Sequence, residues 1–264
     1  MRHLRWPGRI ETIPGGRVRS LERLQELLRR GRQDAIFWSP CQRGPLWARH
    51  HVVTVHDCIN VEHVHRSDWR LSAYMRMFNQ VLNGAEAIVA ISRSTKAAIL
   101  RNYKVDEAKV SVILSGFDVM QDETIEPPPA SEPPYILMVT NAQPYKNGVL
   151  ACSAFAASRA ARDGIVLRVV GTVPEAAREV CQRAGVRIET EQNVSDARLR
   201  RRYKDSLFLL SPSLAEGHDL PIAEALSLGA NVLCSDIDVH REFYEGRARY
   251  FDPRDQQGLT EAID

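Results

Sequence analysis

Ten short apolar runs alternate with stretches of helical periodicity, and this alternation limits the possible folds more than any other feature of the chain. The runs are DAIFWS, HVVTVHD, EAIVAIS and KVSVILS, then YILMVT, IVLRVVG, VRIET, SLFLLSP, NVLCSD and ARYFD. Most are apolar almost throughout, as strands covered on both faces of a parallel sheet must be. The helix patterns between them are plain. In SLERLQELLRRG, Leu21, Leu24, Leu27 and Leu28 share one face, with Ser20 as cap and Gly31 as stop. SDWRLSAYMRMFNQVLNGA and SRSTKAAILRNY follow the same logic. One segment breaks the rhythm: DVMQDETIEPPPASEPPY carries five of the fourteen prolines. Proline removes backbone donors and stops helices, so this segment reads as a linker. The expected division is a partial α/β domain over 1–120, a Pro-rich linker over 121–134 and a second α/β domain over 135–264. Two Rossmann-like halves then face each other across a cleft, where ligands collect in such folds. Four strands are few for the first half, and the chain stops inside DQQGLTEAID, which reads as a helix just beginning. The expectation is a chain cut at both ends, lacking part of its first domain and the final helices of its second.

The stretch SPSLAEGHDLPIAEALSLGANVLCSD holds two glutamates, Glu216 and Glu224, separated by seven residues. Ligands of open parallel sheets sit beyond the carboxyl ends of the strands, so the loop after SLFLLSP should border the cleft. Gly217 permits close approach of backbone, and Pro221 suits the first turn of the following helix. Asp219 is placed as that helix's N-cap. Free N–H groups at the helix start attract phosphate. Eight residues at a rise of ~1.5 Å separate the carboxylates by up to ~12 Å, the reach from a sugar ring to a ribose.

Other classes fall away. A net charge of +2 is too mild for nucleic acid. The arginines are concentrated early, at Arg2, Arg5, Arg9, Arg17, Arg19, Arg29, Arg30 and Arg32. That edge reads either as a surface for an anionic membrane or as a solvated basic face. Five cysteines without CxxC spacing point to reduced thiols and a cytoplasmic setting, peripheral to a membrane at most. His56, Asp57, His63 and His65 lack convincing ligand spacing, so no metal is expected. Neither GxGxxG after a strand nor GxxxxGK[ST] occurs, so no dinucleotide or other cofactor is expected.

The pattern EGHDLPIAEAL, followed by NVLCSDIDVHREF and ARYFDPRD, resembles the nucleotide-sugar signature of retaining glycosyltransferases of family 4 (group 1) with GT-B architecture. YILMVTNAQPYKNGVLACSAF, NVSDARLRRRYKDSLFLLSPS, AIFWSP, HVVTVHD, AIVAISRSTKAAIL and KVSVILSGFDV also have counterparts there, in the same order. The resemblance implies a set of roles. Glu216 contacts the donor sugar hydroxyls, and Glu224 binds the ribose. Lys146 neutralises the diphosphate as it departs. Main-chain groups from Gly217 through His218 and Asp219 to Leu220 hold sugar and phosphate. Val194 lies near the base. The backbone of His56 stabilises positive charge at the anomeric carbon. Asn141 stands where relatives often carry a phosphate-binding arginine, and Asp219 stands where glycine is usual. The implied activity is transfer of a sugar, mannose as first choice, from a GDP- or UDP-sugar to a carbohydrate or lipid-linked acceptor in surface polysaccharide assembly. The rival is a silent fragment that binds a nucleotide or a partner protein.

Overall fold

The computed structural model describes residues 36–41, 50–63, 69–117 and 132–264. The helix pattern over 20–31, the arginine-rich start, His65 and most of the proline-rich segment lie outside those residues.

The described part of the first half holds four parallel strands, β1 (Phe37–Ser39), β2 (His51–Val55), β3 (Ala87–Ala90) and β4 (Val110–Val112), in the order β1-β2-β3-β4. Between them run the short α1 (Ile59–Glu62), then α2 (Trp69–Gly84) and α3 (Arg93–Asn102). Ser92 starts α3, its hydroxyl accepting from the Thr95 amide at 3.0 Å. Val53, Val55, Ile88, Phe78, Leu82 and Ile99 make one apolar core. Each of the four expected strands lies within its apolar run, shortened at the ends.

The second half is a six-stranded parallel sheet. Its strands are β5 (Tyr135–Thr140), β6 (Val166–Gly171), β7 (Ile188–Glu191), β8 (Leu209–Ser211), β9 (Val232–Ser235) and β10 (Arg249–Phe251), in the order β10-β9-β8-β5-β6-β7. The helices are α4 (Gly148–Ala157), α5 (Arg159–Arg162), α6 (Glu175–Ala184), α7 (Asp196–Asp205), α8 (Leu220–Ser227), α9 (Asp238–Tyr244) and α10 (Gln256–Ile263). Period-two geometry sends Ile136 and Met138 to one face of β5, and Tyr135 and Leu137 to the other. Both sets are fully or almost fully buried, which is why β5 reads as a continuous apolar run. The final helix pattern forms α10, which packs on α4, and Asp264 accepts from the Arg159 amide at 2.7 Å.

The strand order positions the site. From β5 the chain adds β6 and β7 on one side, then returns to lay β8 on the other. The loops leaving β5 and β8 therefore diverge around a crevice at the switch point. The two strands share a single registered pair, Leu137 opposite Leu209. Beyond their ends the loops meet again, the Leu214 amide donating to the Tyr145 carbonyl at 2.7 Å.

Candidate functional site

Lys146 closes a 3₁₀ turn, Pro144–Lys146, on the loop after β5. Asn147 then takes a left-handed conformation (φ 55°) and anchors the turn by donating to the Pro253 carbonyl at 2.8 Å. This aims Lys146 across the crevice, and its Nζ meets Glu216 Oε1 at 2.5 Å. Both side chains are largely buried. Burial works against charge on Lys146, but the Glu216 carboxylate outweighs it and holds the ammonium protonated. Glu216 is pushed up by burial and by the nearby Asp219 carboxylate, with Lys146 pulling the other way. The residue pair expected from the sequence is thus in direct contact, 70 positions apart in the chain.

Gly217 follows. A Cβ built there would lie 2.2 Å from the His56 carbonyl oxygen, so only glycine allows the two halves to touch backbone to backbone. The His56 ring points elsewhere, with Nε2 at 2.8 Å from the Pro40 carbonyl. Its main chain faces the second half and also accepts from Thr95 Oγ1 at 3.1 Å. His218 is buried, its ring stacked on Phe243 at 4.1 Å and edge-on to Phe117 of the first half at 6.3 Å. Leu220, at the start of α8, is exposed. Glu224, half-buried on α8, accepts from the buried Tyr203 hydroxyl at 2.7 Å. Asn141 is exposed and accepts from the Gln143 amide within its own turn. Val194 packs part-buried beside the core, one residue before Ser195 caps α7.

Asp219 departs from expectation. It occupies the N-cap position of α8, but its carboxylate does not cap the helix. Its backbone is left-handed (φ 67°), which turns the side chain into the protein. There it accepts from Ser211 Oγ at 2.5 Å and from His240 Nε2 at 3.0 Å. Burial opposes ionisation, but the His240 bond and charge hold the carboxyl below its ordinary range. Its charge is answered within the protein by His240.

A cleft of about 320 Å³ opens beside Glu216, lined by both halves: Asp57, Glu62 and Thr95 on one side, Leu214, Glu216 and Asp238 on the other. His63, which lines the cleft, holds its ring tilted against that of Tyr145, centroids 6.5 Å apart. Among the described residues no cluster of three or more potential metal ligands occurs, and no helix is long and apolar enough to cross a membrane. Sequence reasoning passed over His240, Glu242 and Tyr244. For His240 and Tyr244 the available signal was their spacing, since positions four apart on a helix share a face; Glu242, two residues from each, had no such signal.

Residues 120–264 match the family model described as Glycosyl transferases group 1, and residues 2–121 match Glycosyltransferase Family 4. The O-antigen chain mannosyltransferase RfbU of Salmonella typhimurium is 26% identical over 231 residues; the match takes in 81% of this chain but only 60% of that relative's length. A glycosyltransferase from Rickettsia africae superimposes with a TM-score of 0.69 at 20% identity, covering 92% of this chain and 69% of that one. HepE of Anabaena, solved in complex with UDP and glucose, gives 0.66 at 17% identity, covering 81% and 60%. Likeness at this level establishes the fold, the two-domain α/β GT-B architecture.

Proposed function

The chain belongs to the glycosyl transferases group 1 family, and on that premise we propose that it is a retaining, metal-independent glycosyltransferase. It moves a sugar from a nucleotide diphosphate sugar to a carbohydrate or lipid-linked acceptor in surface polysaccharide assembly. Mannose is the first choice of sugar, since the curated relative is named a mannosyltransferase. GDP and UDP both stand as donor nucleotides, the second because HepE is solved with UDP.

The observation that carries this reading is the buried Lys146–Glu216 ion pair, whose glutamate lines a cleft between the halves. Lys146 is matched here by one carboxylate. A diphosphate brings more negative charge and more acceptor oxygens, so it competes for the ammonium. Glu216, released from Lys146, then accepts hydrogen bonds from the donor sugar. As the bond from the anomeric carbon to the phosphate oxygen breaks, its electron pair passes to the diphosphate, and Lys146 stabilises that developing charge. The His56 carbonyl, packed on Gly217, turns the negative end of its dipole toward the same region and suits the positive charge left on the sugar. Main-chain N–H groups between Gly217 and Leu220 serve the sugar and phosphate. Glu224, oriented by Tyr203, serves the ribose, and the main chain at Val194 serves the base. Asn141 offers a neutral amide beside the phosphates. The acceptor hydroxyl attacks from the face the diphosphate leaves, and its proton passes to the departing phosphate oxygen.

The test is nucleotide release from a panel of GDP- and UDP-sugars, with and without glycan acceptors. Acceptor-dependent release that is lost in a folded Glu216→Gln variant supports the proposal. Nucleotide binding without release from any donor overturns it in favour of a silent binder.

A further inference from the structure

Helix α9, seven residues long, touches the site from behind and the first half from the side. His240 is fully buried on it, and both ring nitrogens are committed. Nδ1 lies 2.8 Å from the Ser235 carbonyl, and Nε2 lies 3.0 Å from Asp219 Oδ2. A carbonyl and an ionised carboxylate only accept, so both nitrogens donate and the ring is an imidazolium. Burial opposes that charge, but the bond to Asp219 prevails, and the His240 pKa is pushed up to about 10. One turn on, the Tyr244 hydroxyl shares its one proton between the carbonyls of His218 and Asp219, at 3.1 and 2.9 Å. Phe243 stacks on the His218 ring. The turn at 218–219 is therefore held by its side chains and by its main chain. It needs holding, because the left-handed conformation is unfavourable for a residue that carries a side chain. The same helix sends Glu242 the other way. That side chain is 6% exposed, and its oxygens accept from the Arg93 and Ser94 amides at 2.8 and 3.2 Å. Those amides open α3, whose positive end favours a carboxylate.

We infer that α9 is a positioning element: His240 and Tyr244 fix the turn that follows Glu216 and opens α8, while Glu242 ties the same helix to the first half across the cleft. The shape of the donor loop and the docking of the halves are thereby carried by one rigid piece. None of the three residues touches the reacting atoms in this scheme; His240 and Tyr244 act through the loop, and Glu242 through the docking of the halves. The inference rests on the proposed function for its catalytic consequence, but its structural content is independent.

The experiment compares the protein with its His240→Gln, Asp219→Asn and Glu242→Gln variants by amide hydrogen exchange and by steady-state kinetics. In His240→Gln, exchange at 213–220 should rise at least tenfold while β6 and β7 keep their protection. The kcat should fall at least tenfold, with the donor KM changing less than threefold. In Glu242→Gln, exchange of the Arg93 and Ser94 amides should rise. Asp219→Asn, which keeps the shape but not the charge, covers the case in which His240→Gln does not fold. Exchange that is unchanged at 213–220, or that rises evenly over the whole second half, overturns the positioning role. So does a kcat that stays at the parent value. If 213–220 loosens as expected but the parent protein transfers no sugar from any donor, the proposed function fails and the positioning stands.

Discussion

Across the cleft the two halves contribute different kinds of atoms. To the hydrogen bonds and the closest approach the first half offers main chain: the His56 carbonyl against Gly217, and the Arg93 and Ser94 amides against Glu242. Its side chains add the ring contacts of Phe117 and His63. The second half offers side chains: Lys146, Glu216, Glu242, and behind them Asp219 and His240. Main-chain groups are present whatever residue occupies the position, so the first half can change its side chains and keep its part of the site. The second half cannot, because each of its contacts depends on one residue type. The division also separates what a reader of sequence can find from what only coordinates display.

Substitutions can break or sharpen this contrast. The largest effect should come from Lys146→Ala, which removes the ammonium and leaves Glu216 buried without it. Transfer at saturating donor should drop by about 10³-fold, in line with losing one preorganised stabiliser of developing charge. Gly217→Ala comes next, since it puts a side chain where the halves need bare backbone. The His56 carbonyl must retreat, and transfer should fall by about 10²-fold, a size reached when reacting groups shift by ~1 Å. A solution-scattering profile more open than the parent's would show the cause. The next effect is one of pH, on stability. His240 has a folded pKa of about 10 against an ordinary 6.5, so its stabilising contribution is complete below 6.5 and fades as pH rises through 10. Asp219 is held low, so its share is lost only on acidification below its ordinary 3.8. Thermal stability of the second half should therefore decline between pH 6.5 and 10, by up to about 5 kcal/mol, and the decline should be missing from His240→Gln. The smallest effect is expected for Arg93→Ala. The guanidinium is 78% exposed and only 3.8 Å from Glu242, while the amide that matters survives the change. Activity should stay within about twofold and stability within ~0.5 kcal/mol. A large loss there would show that the first half does use a polar side chain to hold Glu242.

The sheets were legible because parallel strands covered on both faces leave long apolar runs; nine of the ten runs named from the sequence contain their strand, and VRIET overlaps its strand, which ends one residue later at Glu191. Lys146 and Glu216 were singled out together by the family resemblance, not by local pattern, and the strand order brings their two loops together. Asp219 was misread as a side-chain cap for a physical reason. Its rank as a helix-start acid is a local property, whereas its real partner, His240, lies 21 positions away on another helix. Glu242 was missed in the same way, for its partners are amides 148 and 149 positions earlier. Local pattern predicts local structure well. Buried polar pairing between distant elements leaves no periodic trace.

The bond from the Leu214 amide to the Tyr145 carbonyl has a further consequence. It staples two loops just past strands that share one registered pair, so their lengths are bound to each other. A residue inserted between Thr140 and Lys146, or between Ser211 and Glu216, would slide one partner past the other and carry lysine and carboxylate out of register together. Extra residues should be tolerated at the turn between α6 and β7, where Gly185 is open to solvent with nothing near its missing Cβ. Variation in loop length within this half should accumulate at that distant edge and be nearly absent at the two loops that meet over the crevice.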